Sequence, residues 1–209
     1  MNNSLSLSHV LYKVSDLNKS VNEFIKKGFH VEFGSKKNPH NALIYFSEGP
    51  YIELIEKAPV SKFSKILLKL IGKQKLVDRF NNWEKSKPGY FEICLETYSN
   101  NFKNEIKILN KYDQKYFITS SKRLDPKNRL LKWKLLFPME INFPFFMTYF
   151  NIDPKPKNFV HPNGISKIKK VVYGLDKKFK NILEDLCEDD LLFFKEGSGE
   201  LEVMFDKQL

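Results

Sequence analysis

The fold is decided by the stretch LSLSHVLYKVSDLNKSVNEFIKKGF, which occupies residues 5–29. Its first ten residues, 5–14, are dense in branched aliphatic and aromatic side chains, which predicts a β-strand. Ser15 and Asp16 then supply a helix N-cap, and Gly28 stands where a C-cap glycine belongs. Between them the apolar side chains recur at the spacing of one helix face: Leu17, Val21, Phe24 and Ile25. The stretch therefore predicts a strand followed by an amphipathic helix.

Three more strands are predicted directly after this helix. Residues 29–33 alternate between apolar and polar side chains, and residues 42–46 and 51–55 are dense in apolar ones. A turn at residues 47–50, with the sequence SEGP, joins the last two strands. The predicted order over residues 5–56 is β-α-β-β-β.

The same order partly recurs further along the chain. We predict a strand at 90–97, a helix at 101–112, and strands at 130–137 and 145–150. An inexact repeat of this kind suggests two modules that pair to bury the apolar surface that neither buries alone. The tail predicts a strand at 165–173, a helix through Phe179 and Leu186, and a hairpin from the segments 191–194 and 201–205.

The predicted class is therefore α+β, with two βαβββ modules and a partial C-terminal βαββ unit. We divide the chain into a first module, a basic amphipathic helical linker, a second module and a C-terminal unit, at residues 1–60, 61–88, 89–160 and 161–209.

Composition narrows the class of function. The net charge is +10, but the excess is mostly Lys and no zinc-finger, RNP-like or KH motif is present, so we do not expect specific nucleic-acid binding. The two cysteines, Cys94 and Cys187, have no metal-site spacing and suit a reducing cytoplasm. No secretory signal and no membrane span is predicted, so we expect a cytoplasmic protein.

The linker allows two interpretations. Its apolar residues recur at helical spacing between eight basic and two acidic side chains over residues 61–87. One interpretation is a pair of helices whose apolar faces pack on the sheet while Lys stems cover its edge. The other is a basic amphipathic helix that lies on anionic lipid or on nucleic acid. We favour the first.

Catalytic motifs of the common hydrolase, P-loop, Rossmann and zincin types are missing, which leaves His and carboxylate residues as candidates. His9 lies in the first predicted strand and Glu53 in the last strand of the same module. If these strands curve into one concave sheet, the two side chains meet in its hollow, where they suit Zn, Fe, Mn or Ni. The alternative is a hydrogen-bonded core His and a solvated Glu on an edge strand.

Several motifs carry a family resemblance. They are Leu7-Ser8-His9-Val10, Ser15-Asp16-Leu17, Gly28-Phe29, residues 41–46 with the sequence NALIYF, residues 51–55 with the sequence YIELI, and His161-Pro162-Asn163-Gly164. Over about residues 5–175 the chain resembles glyoxalase-like domains of the vicinal oxygen chelate (VOC) superfamily. The resemblance implies paired βαβββ modules that form an open, cupped, mixed β-sheet around a divalent metal. Members of that superfamily include glyoxalases, extradiol dioxygenases, epimerases, thiol transferases and metal-free drug-binding proteins.

The resemblance also implies site residues. His9 and Glu53 match the metal ligands of the first module, and alignment of the second module places Glu92 and Met147 at the corresponding positions. We assign Glu53 and Glu92 as catalytic candidates. The candidates for substrate binding are His40, Asn41, Tyr51, Phe146 and Thr148. His40 is equally compatible with an ordinary surface loop residue, and we favour a structural turn for the motif at 161–164.

Two functions follow from the resemblance. The first is a divalent-metal-dependent lyase, isomerase or dioxygenase that chelates two oxygens of a small substrate. The second is a metal-free protein that binds a small molecule in an aromatic-lined cup. In either case the cup is formed within one chain or completed in a homodimer.

Overall fold

The computed structural model describes residues 4–207, so the first three and last two positions of the predicted units lie outside the described residues. The first half contains β1 Ser6–Lys13, α1 Leu17–Lys26, β2 Glu32–Phe33, β3 Asn41–Ile44 and β4 Tyr51–Ile55. Two linker helices follow, α2 Lys62–Leu70 and α3 Gln74–Lys85. The second half contains β5 Gly89–Thr97, α4 Lys103–Lys111, β6 Tyr116–Leu124, β7 Leu130–Pro138 and β8 Phe145–Thr148. The tail contains β9 Ile168–Leu175, α5 Lys180–Leu186, β10 Leu192–Glu196 and β11 Leu201–Phe205.

The two halves form one open, curled sheet of eight strands in the order β2-β3-β4-β1-β5-β8-β7-β6. The first strands of the two halves, β1 and β5, pair antiparallel at the centre. Each pairs on its other side with the last strand of its own half, in parallel. The prediction of paired βαβββ modules and a cupped mixed sheet is confirmed.

Local sequence explains how α1 begins and ends. The Asp16 side chain accepts a hydrogen bond of 2.9 Å from the backbone N–H of Lys19, which caps the first turn. After the helix, Gly28 adopts a φ of +80°, and its carbonyl accepts a hydrogen bond of 3.1 Å from the N–H of Asn163. The Asn163 side chain also donates to the carbonyl of Lys27. The turn at 161–164 therefore closes the end of α1.

The sheet has two buried faces, and the alternation of side chains along each strand decides which residues belong to which. Val10, Ile52 and Phe146 belong to a large core that α1, α4 and α5 help to cover. Leu11, Ile55 and Phe145 belong to a second core on the concave face. The concave face carries the site described below.

The linker helices differ in how they pack. Helix α3 buries Leu76, Phe80 and Trp83 in the concave core. Helix α2 has no buried residue. Packing of the linker on the sheet is thus extensive for α3, whereas α2 contacts the concave core only through the partly buried Leu68 among the described residues. None of the helices in residues 4–207 combines the length and the apolar character that crossing a bilayer requires.

Three sequence-based expectations about strands were wrong. Strand β6 was missed because its sequence, YFITSSKRL, is polar over most of its length and forms an edge. The strand predicted at 29–33 is shortened to Glu32–Phe33. The predicted C-terminal hairpin is absent from the described residues, because β10 and β11 lie on opposite sides of β9 and do not pair with each other.

Candidate functional site

A cavity of about 570 Å³ occupies the concave face of the sheet. Strands of both halves and the two linker helices contribute to its walls. Most of its surface is apolar, and aromatic side chains make up much of its lining: Tyr51, Phe80, Trp83, Phe117, Trp133, Phe137, Phe145 and Phe150. Its size and character are those of a pocket for a small organic molecule.

His9 and Glu53 meet on the wall of this cavity. In the parallel pair of β1 and β4, His9 lies opposite Tyr51 and Leu11 lies opposite Glu53, so all four side chains point to the concave face. The His9 Nε2 atom is 3.2 Å from Oε2 of Glu53. The two residues therefore share one cavity.

The imidazole of His9 is held on every side. Its ring stacks on Tyr51 with centroids 4.6 Å apart and meets the edge of Phe145 at 5.9 Å. An irregularity in the β1–β5 register at Ser8 brings the Ser8 hydroxyl to 3.2 Å from Nδ1. Glu53 lies at Nε2 and Ser8 at Nδ1, so both ring nitrogens of His9 have partners within the protein.

Glu53 is the member of the pair that faces the cavity, with 18% of its side chain exposed against 4% for His9. Its Oε1 accepts a hydrogen bond of 2.7 Å from Nδ2 of Asn41. Burial alone raises the pKa of the Glu53 carboxyl, but the hydrogen bond and charge of His9, the hydrogen bond from Asn41 and the charge of Arg123 outweigh it. The net pKa lies below the usual value, so Glu53 is an ionised acceptor at neutral pH.

Arg123, on β6, also lies at the cavity wall and was missed by the sequence analysis together with its strand. Its Nη2 donates a 3.0 Å hydrogen bond to the Tyr45 hydroxyl, and its Nη1 donates to the carbonyl of Gly34. These contacts tie the edge strand of the second half to the first half. The aromatic and β-branched residues at the start of β6, with the sequence YFIT, were the signal available in the sequence.

Three of the predicted substrate-binding residues line the cavity, namely His40, Asn41 and Tyr51. Phe146 and Thr148 do not, because side chains alternate along β8 and these two lie on the helix-covered side. Their neighbours Phe145 and Met147 occupy the cavity wall instead. The placement expected for Phe146 and Thr148 was therefore shifted by one residue.

Glu92 is also not a cavity residue. Its carboxylate is buried 3.1 Å from Nη1 of Arg79, and the Trp83 indole N–H donates to the same oxygen at 3.4 Å. Burial raises the pKa of Glu92 to about 7 although Arg79 opposes the shift. Arg79 also donates to the carbonyls of Pro138, Glu140 and Phe143. The pair ties α3 to the sheet, which corrects the expected catalytic position of Glu92.

Comparison with known proteins identifies the family. The sequence matches the family described as "Glyoxalase-like domain" over residues 7–185, which is most of the chain. The chain belongs to the glyoxalase-like domain family. This assignment supports the VOC resemblance inferred from the motifs. No curated protein matches the sequence significantly.

Solved structures share the fold of this glyoxalase-like domain at low sequence identity. A hypothetical protein from Staphylococcus aureus is 19% identical with a TM-score of 0.62, over 93% of this chain and 88% of that one. A Mn(II)-bound glyoxalase from Novosphingobium aromaticivorans is 12% identical with a TM-score of 0.50, over 88% of this chain and 52% of that one. At these identities the similarity concerns the fold.

The second half of the glyoxalase-like domain places sulfur where the first half has His9 and Glu53. On β1 and β4, His9 lies opposite Tyr51, and Leu11 lies opposite Glu53. On β5 and β8, Cys94 lies opposite Phe145, and Glu96 lies opposite Met147. Met147 thus corresponds to Glu53, as the alignment of the two modules in the sequence predicts. Cys94, not Glu92, corresponds to His9.

This set of side chains does not fit the three or four protein ligands of a usual divalent site. No group of three or more His, Cys, Asp or Glu that could hold a metal occurs within residues 4–207. Burial raises the pKa of the Cys94 thiol well above its ordinary value, so the thiol stays protonated. A Met thioether is likewise a poor partner for a hard ion. The domain offers two good donors, His9 and Glu53.

Proposed function

We propose that this glyoxalase-like domain binds a small, largely apolar molecule that donates a hydrogen bond from a hydroxyl or amine to Glu53. The observation that carries the proposal is an ionised, partly exposed Glu53 at the wall of an otherwise mainly apolar, aromatic cavity. A carboxylate oxygen accepts more than one hydrogen bond, so Glu53 retains capacity beside its contacts with His9 and Asn41.

The aromatic wall supplies the remaining recognition. Trp83 and Trp133, which are the two tryptophans of the chain, both line the cavity. Flat aromatic or alicyclic ligands gain stacking or edge contacts against such a wall in addition to burial of apolar area. His9 positions Glu53 and is itself shielded, so it acts through the carboxylate.

Tryptophan fluorescence tests this proposal with a matched pair of probes, para-propylphenol and its methyl ether. In the ether a methyl group replaces the hydroxyl hydrogen, so only the phenol can donate a hydrogen bond to Glu53, and a hydrogen bond to a charged group contributes about 1.5–3 kcal/mol. We expect the phenol to bind at least about tenfold more tightly than the ether. Glu53→Gln should remove most of that preference, whereas Glu23→Gln on exposed α1 should preserve it. Equal affinity of the phenol and the ether for the wild type would refute the role of Glu53.

The second candidate function is a divalent-metal-dependent enzyme. It is favoured by the distance of 3.2 Å between Nε2 of His9 and Oε2 of Glu53. Two cis ligands that each bond an ion at about 2.1 Å are separated by about 3 Å. Water or substrate oxygens would have to supply the other ligands.

Elemental analysis of the purified protein, with thermal unfolding in the presence of Mn²⁺, Zn²⁺, Fe²⁺ or Ni²⁺, separates the two candidates. A site in the native state raises the melting temperature by mass action, and His9→Ala should abolish both the shift and the bound metal. A wild-type protein that holds no metal and is stabilised by none of these ions would exclude this candidate.

Location and assembly remain predictions. Cys94 and Cys187 are both free, in keeping with the expected cytoplasmic, reducing compartment.

A further inference from the structure

Helix α2 exposes an apolar stripe. The exposed fractions are 76% for Phe63, 57% for Ile66, 51% for Leu67 and 79% for Leu70, and Ile71 just beyond the helix is 56% exposed. At 100° per residue, the four helical residues fall within an arc of about 100°, so they form one continuous stripe. Isolated exposed apolar residues are ordinary on a protein surface, but a contiguous stripe marks an interaction site.

The surroundings of the stripe are strongly basic. Residues 57–77 contain six Lys and no Asp or Glu. The Nζ atom of Lys65 forms an ion pair with Oε2 of Glu84 at 2.8 Å, on the side of α2 that faces α3. Lys62 and Lys69 are exposed beside the stripe and form no ion pair among residues 4–207. The helix therefore presents an apolar stripe with unneutralised ammonium groups along its edge.

We propose that α2 docks on the surface of an anionic phospholipid membrane, with Phe63, Ile66 and Leu70 in the interface and Lys62 and Lys69 on the headgroups. Short basic amphipathic helices bind bilayers by burial of their apolar face together with attraction to anionic lipid. A second copy of the chain fits this surface poorly, because it would bring two basic, acid-free segments into contact. The charge of the stripe's border favours a partner that is both apolar and anionic.

The same helix contributes to the cavity wall. Ser64, Leu67 and Leu68 line the cavity from α2. Docking of α2 would therefore hold the ligand-binding cavity close to the bilayer, from which an apolar ligand can partition. Membrane docking itself does not depend on what the cavity binds.

Co-sedimentation with vesicles tests the docking. The full chain is mixed with vesicles of phosphatidylcholine alone, or of phosphatidylcholine with about 40% phosphatidylglycerol, at low and at high salt. We expect binding to the anionic vesicles at low salt that weakens as salt is raised. Each lysine near an anionic surface contributes about fivefold to partitioning, so Lys62→Glu with Lys69→Glu should lower it at least tenfold.

Matched variants separate the stripe from general surface effects. Phe63→Ser with Leu70→Ser should lower binding at least tenfold, whereas Ile25→Ser with Tyr98→Ser, at exposed sites elsewhere, should leave it unchanged. Lys103→Glu with Lys107→Glu on α4 is the matched charge control, because both lysines are exposed on the helix-covered side of the sheet. A Phe63→Trp variant adds a tryptophan whose fluorescence brominated lipid should quench.

Three results would overturn the proposal. They are the absence of binding to anionic vesicles at low salt, binding that survives the Phe63 and Leu70 substitutions, and a dimer in sedimentation equilibrium that those substitutions dissociate. The last result would show that a second copy covers the stripe.

Discussion

Cys94 on β5 lies directly opposite His9 on β1, where the two halves of the sheet pair antiparallel. The backbone of the halves is related by an approximate twofold repeat, but the chemistry is not. One half places His9 and Glu53 at the cavity, and the other places Cys94 and Met147 at the corresponding positions. Among residues 4–207, Glu53 of the first half is the one carboxylate that lines the cavity, whereas β6 of the second half contributes cationic and hydroxyl side chains, including Arg123.

Glu53→Gln should change how stability depends on pH. The folded-state pKa of Glu53 is lowered, so its contribution to stability is present above the unfolded pKa of about 4.3 and is lost as pH falls through the folded value. Urea unfolding at pH 7 and pH 4 should show that the wild type loses more stability on acidification than the variant does. An identical loss in both proteins would contradict this assignment.

Glu92→Gln should act in the opposite direction. The pKa of Glu92 is raised to about 7, so the folded state retains a proton that the unfolded state releases above about pH 4.3. Stability contributed by this group therefore declines as pH rises from about 4.3 to 7. Unfolding free energies measured across that range should decline less steeply in Glu92→Gln than in the wild type.

Arg79→Met, which leaves the buried carboxylate unpaired, should cost about 3–5 kcal/mol at pH 7.

Gly28→Ala should destabilise the protein more than a positive φ alone explains. Gly28 has a φ of +80°, and a Cβ there would lie 2.8 Å from the Cβ of Asn163. Gly72 has a φ of +74° with no atom within 4 Å of a Cβ, so Gly72→Ala isolates the backbone cost of about 1–2 kcal/mol. We expect the Gly28 variant to exceed that cost in denaturant unfolding. Equal losses would mean that the turn at 161–164 moves aside freely.

Phe145→Leu and Phe146→Leu should separate binding from stability. Phe145 lines the cavity and stacks on Phe137 with centroids 5.3 Å apart, whereas Phe146 lies in the helix-covered core. Each substitution should cost about 1–2 kcal/mol of stability. Affinity for para-propylphenol should fall in the Phe145 variant and stay at the wild-type value in the Phe146 variant. The reverse pattern would mean that the cavity lies on the other face of the sheet.

Much of the fold could be predicted because its signals are local. The N-cap at Asp16, the helix face of Val21 and Phe24 and the C-terminal Gly28 act within a few residues of one another. The strands β1 and β4 are apolar enough to be recognised by themselves. Since β4 ends the module that β1 begins, the meeting of His9 and Glu53 followed once the two strands were placed in one sheet.

Other features depend on pairing between distant segments. The register of β5 against β8 decides that Cys94, not Glu92, corresponds to His9. Strand β6 is stabilised by its long antiparallel pairing with β7, which its own polar sequence does not reveal. Strands β10 and β11 each pair with β9 and not with each other, and this selection of strand partners also depends on the tertiary structure.

The sequence by itself determined the first βαβββ module with its partial repeat, the capped helix α1 and the candidate pair His9 and Glu53, because propensity, capping and side-chain alternation act over short distances. Only the tertiary structure decided that Arg79 neutralises Glu92, that Phe145 and not Phe146 reaches the cavity, and that the apolar stripe of α2 stays uncovered. Burial and ion pairing depend on which distant segments come together, and a one-residue change of register exchanges the two faces of a strand.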